Sequence, residues 1–247
     1  MNILIIGDSW GVPNYFGSPG IDKEYHTEYL LKELGYNVYN CSANGSGNYN
    51  TIQRAIDFLN YQPIAHPAIR HPYNYEITLE EQNVKIDWVV WFHTEWWRDF
   101  DSSNLTLADA ENIACKKQYE AFAKLSAKLN CNIAIIGGQH PVNKMIYNFV
   151  EPNFIIEDWK TKILNTNLPF PYLLSRTEEV LPKVIDDTRI KLKCVENTAL
   201  VYEIMKHNSD LFPDGGHPGI KPHADLVETL AKVFRGEVAQ TVRAMDS

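Results

Sequence analysis

The chain has 247 residues, 45% of them hydrophobic and 22% charged, a length and balance that suit one soluble α/β domain with a sizeable core. With 23 basic and 31 acidic residues the net charge is −8, which disfavours nucleic acid and anionic membranes and leaves small molecules, sugars and neutral esters as partners. The four cysteines, Cys41, Cys115, Cys131 and Cys194, form no C-x-x-C pair, so reduced thiols and a cytoplasmic site of synthesis are expected.

Met1-Asn2 leads directly into an apolar run too short for a leader or a membrane span; release from a virion or by lysis stays open. "NILIIG" (2–7) predicts a buried strand stopped by glycine. A helix is expected over 22–35, with Tyr25, Tyr29 and Leu30 on one face and Gly35 at its end. "YNVYN" (36–40) predicts a second strand, "CSANGSGN" (41–48) a polar turn, and 51–59 a helix. Residues 61–84, with three prolines, read as an excursion.

"IDWVVWF" (86–92) predicts the third strand, 107–130 a long helix, and "CNIAIIGG" (131–138) the fourth strand. A fifth is expected at 153–159, and an insertion is expected near 141–185. A helix is expected over 189–206, and "DGGHPG" (214–219) predicts a loop before a closing helix, 223–234. Strands alternating with helices predict a parallel sheet covered on both faces, with ligands beyond the carboxyl ends of its strands.

That rule singles out Ser9, in the first turn of the sheet. A serine hydroxyl needs a base to become a nucleophile, and Asp214 and His217, three residues apart in a Gly-rich loop, are candidates to supply one. The bland readings are a helix cap for Ser9 and a simple turn for 214–219. Asp8 is expected to bond the turn rather than act chemically.

"GDSW" (7–10), "NCSANG" (40–45) and "DGGH" (214–217), in this order, resemble the first, second and last motifs of the SGNH/GDSL hydrolases. The resemblance implies a three-layer α/β/α sandwich with a flavodoxin-like parallel sheet of about five strands, in a single domain over 1–247. It implies a serine esterase without cofactor: Ser9 as nucleophile, His217 as base, Asp214 orienting His217, and the N–H groups of Ser9 and Gly45 as oxyanion donors. "GDSWG" and the Thr94–Asp99 wording also resemble SGNH-type proteins of bacteriophages.

The family's third motif breaks. Glu95 falls where an asparagine donor is expected, and an ionised carboxylate would repel an oxyanion. Glu95 and Arg98 are expected to pair and shape a pocket with Trp10, Asn48 and Trp96; Trp97 lies in the same loop. Trp88 and Trp91 are expected in the core. His93, His140 and Glu95 lack metal-ligand spacing, so no metal is expected. His26, His66, His71, His207 and His223 have no partner pattern and are expected to be solvated or structural.

The resulting expectation is hydrolysis of a carboxylic ester, an O-acetyl group on a glycan being one candidate. The alternative is a carbohydrate- or ligand-binding protein on the same fold without the chemistry. Nucleotide binding is the poorer reading, since neither G-x-G-x-x-G nor a P-loop is present.

Overall fold

The computed structural model describes residues 1–12, 26–60, 85–99, 107–138, 141–164, 205, 207–213 and 216–237. Five strands, β1 (Asn2–Gly7), β2 (Asn37–Asn40), β3 (Trp88–His93), β4 (Asn132–Gly137) and β5 (Phe154–Ile156), form one sheet. All pairs are parallel and the order is β2-β1-β3-β4-β5, the doubly wound arrangement of flavodoxin-like sheets. β3 is buried along its whole length, which explains its uninterrupted apolar sequence, WVVWF.

The helices described are α1 (Thr27–Glu33), α2 (Asn48–Leu59), α3 (Leu107–Leu129), α4 (Trp159–Leu164) and α5 (Ile220–Phe234). Strand alternation divides the core between them. Leu4, Ile6, Val89, Trp91, Ile133 and Ile135 face α2 and α3. Ile3, Ile5, Val90, Phe92, Ala134 and Ile136 face α1, α4 and α5. The result is a three-layer α/β/α sandwich with a core on each side of the sheet. None of the described helices is long and apolar enough to cross a membrane.

Several boundaries differ from expectation for local reasons. α1 buries Thr27, Glu28 and Leu31, whereas Tyr29 and Leu30 are only half-buried. Thr27 and Glu28 have polar partners inside, which apolar periodicity does not reveal. α1 ends as expected: Gly35 takes φ +85°, and the bonds Tyr36 N–H to Leu31 O and Gly35 N–H to Lys32 O close a Schellman motif. α2 begins at Asn48, three residues early, and α5 at Ile220. The Phe154–Ile156 strand is shorter than expected because Trp159 already starts α4. Residues 141–164, placed in an expected insertion, thus supply the edge strand and a helix of the frame. The expected excursion 61–84, the helix 189–206 apart from Met205, and Tyr25, His66, His71, His140 and Cys194 lie outside the described residues.

Candidate active site

Because every strand runs the same way, the turns after β1, β2, β3 and β4 emerge on one edge of the sheet. The turn after β1 carries Ser9. Asp8 shapes it: its Oδ1 accepts from the Trp10 N–H at 3.0 Å, and Gly11 N–H bonds the Asp8 carbonyl. Asn40, at the end of β2, donates to the Gly11 carbonyl at 2.7 Å and to Glu28 at 2.8 Å, tying the same turn to its neighbours. From the other end of the chain, the loop before α5 brings in His217. Its Nε2 lies 2.9 Å from Ser9 Oγ, a hydrogen bond between residues 208 apart in sequence. His217 is buried and Ser9 partly exposed, so the hydroxyl lies at the rim with the imidazole behind it. Asp214 lies outside the described residues. Gly45 sits in the turn after β2, exposed, at φ +67°.

The turn after β3 is locked from beneath. Asn48 holds the backbone of Thr94 in both directions, Nδ2 to Thr94 O at 2.8 Å and Thr94 N–H to Oδ1 at 2.9 Å, and its amide also meets Gln118 Oε1 at 3.1 Å. A second clasp runs alongside. α2 has no side-chain cap of its own at Gly47, and Asp99 accepts from the Tyr49 N–H at 2.6 Å and from the Asn50 N–H in its place. A Cβ at position 47 would overlap the Asp99 carboxylate, which accounts for the glycine. Burial still raises Asp99 to about 6, against the hydrogen bonds that lower it.

The residues expected to line a pocket are differently placed. Trp10 is 1% exposed, packed edge-on against Trp159 and beside Phe212 in the core. Trp96 is buried in the opposite core, and its carbonyl accepts from Gln118. Asn48 is wholly buried and serves as the clasp. The side chain of Trp97 lies outside the described residues. Only Arg98, its side chain 23% exposed, reaches outward; Glu95 is buried and pairs with it, as expected.

Arg98 and two buried acids are linked beneath the turn. The Thr94 hydroxyl stands between Asp8 Oδ2, at 2.8 Å, and Glu95 Oε2. Arg98 binds the same Glu95 oxygen through Nε and lies 3.7 Å from Asp8 Oδ2. Burial pushes the Asp8 carboxyl above its ordinary value, opposed by Arg98 and assisted by Glu95.

Sequence reasoning leaves Thr94, Gln118, His26 and His223 without a site role, yet they knit these turns together. His26 is 2% exposed and its Nε2 meets the Trp10 carbonyl at 3.3 Å. Burial lowers it to about 4, although the Trp10 carbonyl and Glu28 favour its charged form. A histidine with a lower pKa folded than unfolded stabilises fully above its unfolded value, near 6.5, and loses that contribution as pH falls toward 4. At pH 5 the loss is about 2 kcal/mol. Asp99, raised on folding, works in the opposite sense, so the difference between wild type and His26→Gln isolates the histidine. Urea denaturation is expected to show His26→Gln gaining about 2 kcal/mol on wild type between pH 8 and pH 5. A pH-independent difference would show that His26 does not titrate in this way.

No family model matches the sequence, and no curated protein does. Several solved structures are similar, among them two esterases. One is the psychrotrophic esterase EstA from Pseudoalteromonas sp., inhibited by monoethylphosphonate. It is 13% identical, with 96% of this chain and 97% of that one covered, at a TM-score of 0.44. The other is a carbohydrate esterase whose active site displays divergent catalytic and non-catalytic binding functions. It is 12% identical, with 95% of this chain and 64% of that one covered, at a TM-score of 0.43. Likeness at this level assigns no role to any residue.

Proposed function

We propose that this chain is a serine esterase of the SGNH type that hydrolyses a carboxylic ester. The observation that carries the reading is the 2.9 Å contact between Ser9 Oγ and His217 Nε2. At that distance His217 takes the hydroxyl proton as Oγ attacks the ester carbonyl. The tetrahedral intermediate collapses when His217 returns the proton to the leaving alcohol. Water, deprotonated by His217, then releases the acid from the acyl-enzyme. Asp214 is assigned the orientation of His217 by its spacing in sequence. The N–H groups of Ser9 and Gly45 are assigned to the oxyanion, each worth about 3 kcal/mol of transition-state stabilisation.

The acyl group is proposed to be small, with an O-acetylated glycan as the candidate substrate. The burial of Trp10 and Trp96 withdraws two sugar platforms from that proposal, so the acetyl ester is its firmer part. A second reading, ligand binding without chemistry, draws on Glu95 and Asn48: the first is held by Arg98 and the second by Thr94, so neither replaces the missing amide donor. Hydrolysis of p-nitrophenyl acetate separates the two. The esterase reading requires activity that depends on Ser9, and equal rates with and without the hydroxyl favour the binding reading.

A further inference from the structure

The two N–H groups assigned to the oxyanion belong to separate turns. Ser9 lies in a β-turn, Asp8–Gly11, closed by the Gly11 N–H on the Asp8 carbonyl at 3.0 Å. Gly45 lies in another, Ala43–Ser46, closed by the Ser46 N–H on the Ala43 carbonyl at 3.1 Å. Each turn holds its own shape, so the convergence of the two donors depends on what joins the turns. On one side the ladder between β1 and β2 runs on, and the Ala43 N–H bonds the Gly7 carbonyl at 3.0 Å. Beyond that bond the backbones part, and the turns can pivot about it. The second point of attachment is a side chain, Asn40 at the end of β2. Its Nδ2 donates to the Gly11 carbonyl at 2.7 Å and to Glu28 Oε2 at 2.8 Å, and its Oδ1 accepts from the Ser42 N–H at 2.9 Å. Two acceptors on one side and a backbone donor on the other settle which atom is the nitrogen. Glu28 is buried, and Lys32 holds its other carboxylate oxygen, so this outer partner is itself anchored. The turns also meet directly, since a Cβ on Gly11 would lie 2.4 Å from Ser42 Oγ.

We propose that Asn40 is a positioning residue that sets the spacing of the two oxyanion donors, by bonding the last residue of the Ser9 turn and the residue just before the Gly45 turn; the inference rests on the serine-esterase reading. With the third amide donor missing, the geometry of the remaining two carries more of the stabilisation. Removing one such donor costs about 100-fold or more in kcat, and a misplacement of about 1 Å costs about as much. Asn40 acts through the backbone of both turns and on no reacting atom. Its effect therefore falls on the transition state, where the oxyanion forms, and not on binding of the neutral ester.

Two variants test the link, assayed with p-nitrophenyl acetate at about pH 8, where a carboxyl at position 40 is ionised. Asn40→Ala removes all three bonds. Asn40→Asp keeps an acceptor for the Ser42 N–H but turns an oxygen toward the Gly11 carbonyl, so it frees the Ser9 turn alone. A link fails when either end is cut. Both variants are therefore expected to lower kcat about 30-fold, with KM within about twofold of wild type. In protein whose circular dichroism matches wild type, a kcat within about threefold of wild type in either variant overturns the proposal, as does a loss carried by KM instead. With Ser9→Ala inactive in parallel, that result leaves the esterase reading standing, whereas an active Ser9→Ala removes the reading itself. If neither variant folds, amide hydrogen exchange of the wild type decides. The Ser42 N–H, bonded to the Asn40 side chain, is expected to exchange at least about 100-fold more slowly than in an unfolded chain. Exchange at the unfolded rate overturns the proposal.

Discussion

Replacing Ser9 by alanine is expected to lower the rate of p-nitrophenyl acetate hydrolysis by about 10⁴-fold or more. The size follows from what is lost. Without the hydroxyl no acyl-enzyme forms, and His217 has no proton to accept from a nucleophile. The backbone N–H groups of the turn remain, so residual activity above buffer comes only from binding and polarisation of the ester. Folding is not expected to suffer. Ser9 Oγ is partly exposed at the rim, and the turn is held by Asp8, His26 and Asn40 rather than by the serine. Thermal unfolding of Ser9→Ala is therefore expected within about 0.5 kcal/mol of wild type. A variant that unfolds cannot speak to the chemistry, and the melting curve makes that distinction. Retained activity in a folded Ser9→Ala would remove Ser9 from the reaction.

The second large effect is structural. Gly7→Ala is expected to destabilise the protein by about 3 kcal/mol, measured by urea denaturation. A Cβ on Gly7 would lie 2.6 Å from Phe92 Cβ and 2.8 Å from the Phe92 carbonyl oxygen. Both belong to the adjacent strand β3, whose backbone is pinned between β1 and β4 and cannot move aside. The glycine before Asp8 and Ser9 thus permits close approach of two strands at the point where the chain turns. Relief of the clash would push the turn outward, and Ser9 with it. Activity is expected to fall more steeply than stability. A loss below about 0.5 kcal/mol would show that β3 yields at Phe92.

The sequence spoke most clearly where one physical rule dominates. The apolar runs of β1, β3 and β4 must be buried on both faces, and only a central parallel strand provides that. The C-terminal stop of α1 is legible because Gly35 takes a conformation that other residues avoid. The start of α2 is not legible in this way, because its cap comes from Asp99, some fifty residues on. The same blindness hides the buried polar residues. His26 and His223 carry no local pattern, and their partnership exists only once α1 and α5 pack together. Trp10 and Trp96 were expected at a pocket because they sit in edge loops, but each turns back into the core. Arg98 and Glu95 form the expected pair, and Thr94 joins that pair to Asp8 in the turn that carries Ser9, a link that spacing could not indicate.

The central claim is that Ser9 Oγ and His217 Nε2, 2.9 Å apart, form a working nucleophile and base. Mass spectrometry after treatment with a fluorophosphonate tests it most directly. A single adduct is expected, on the tryptic peptide that contains Ser9, absent from Ser9→Ala and formed about 100-fold more slowly in His217→Ala. An unmodified Ser9 in folded protein, or a label that appears as quickly without His217, would contradict the claim.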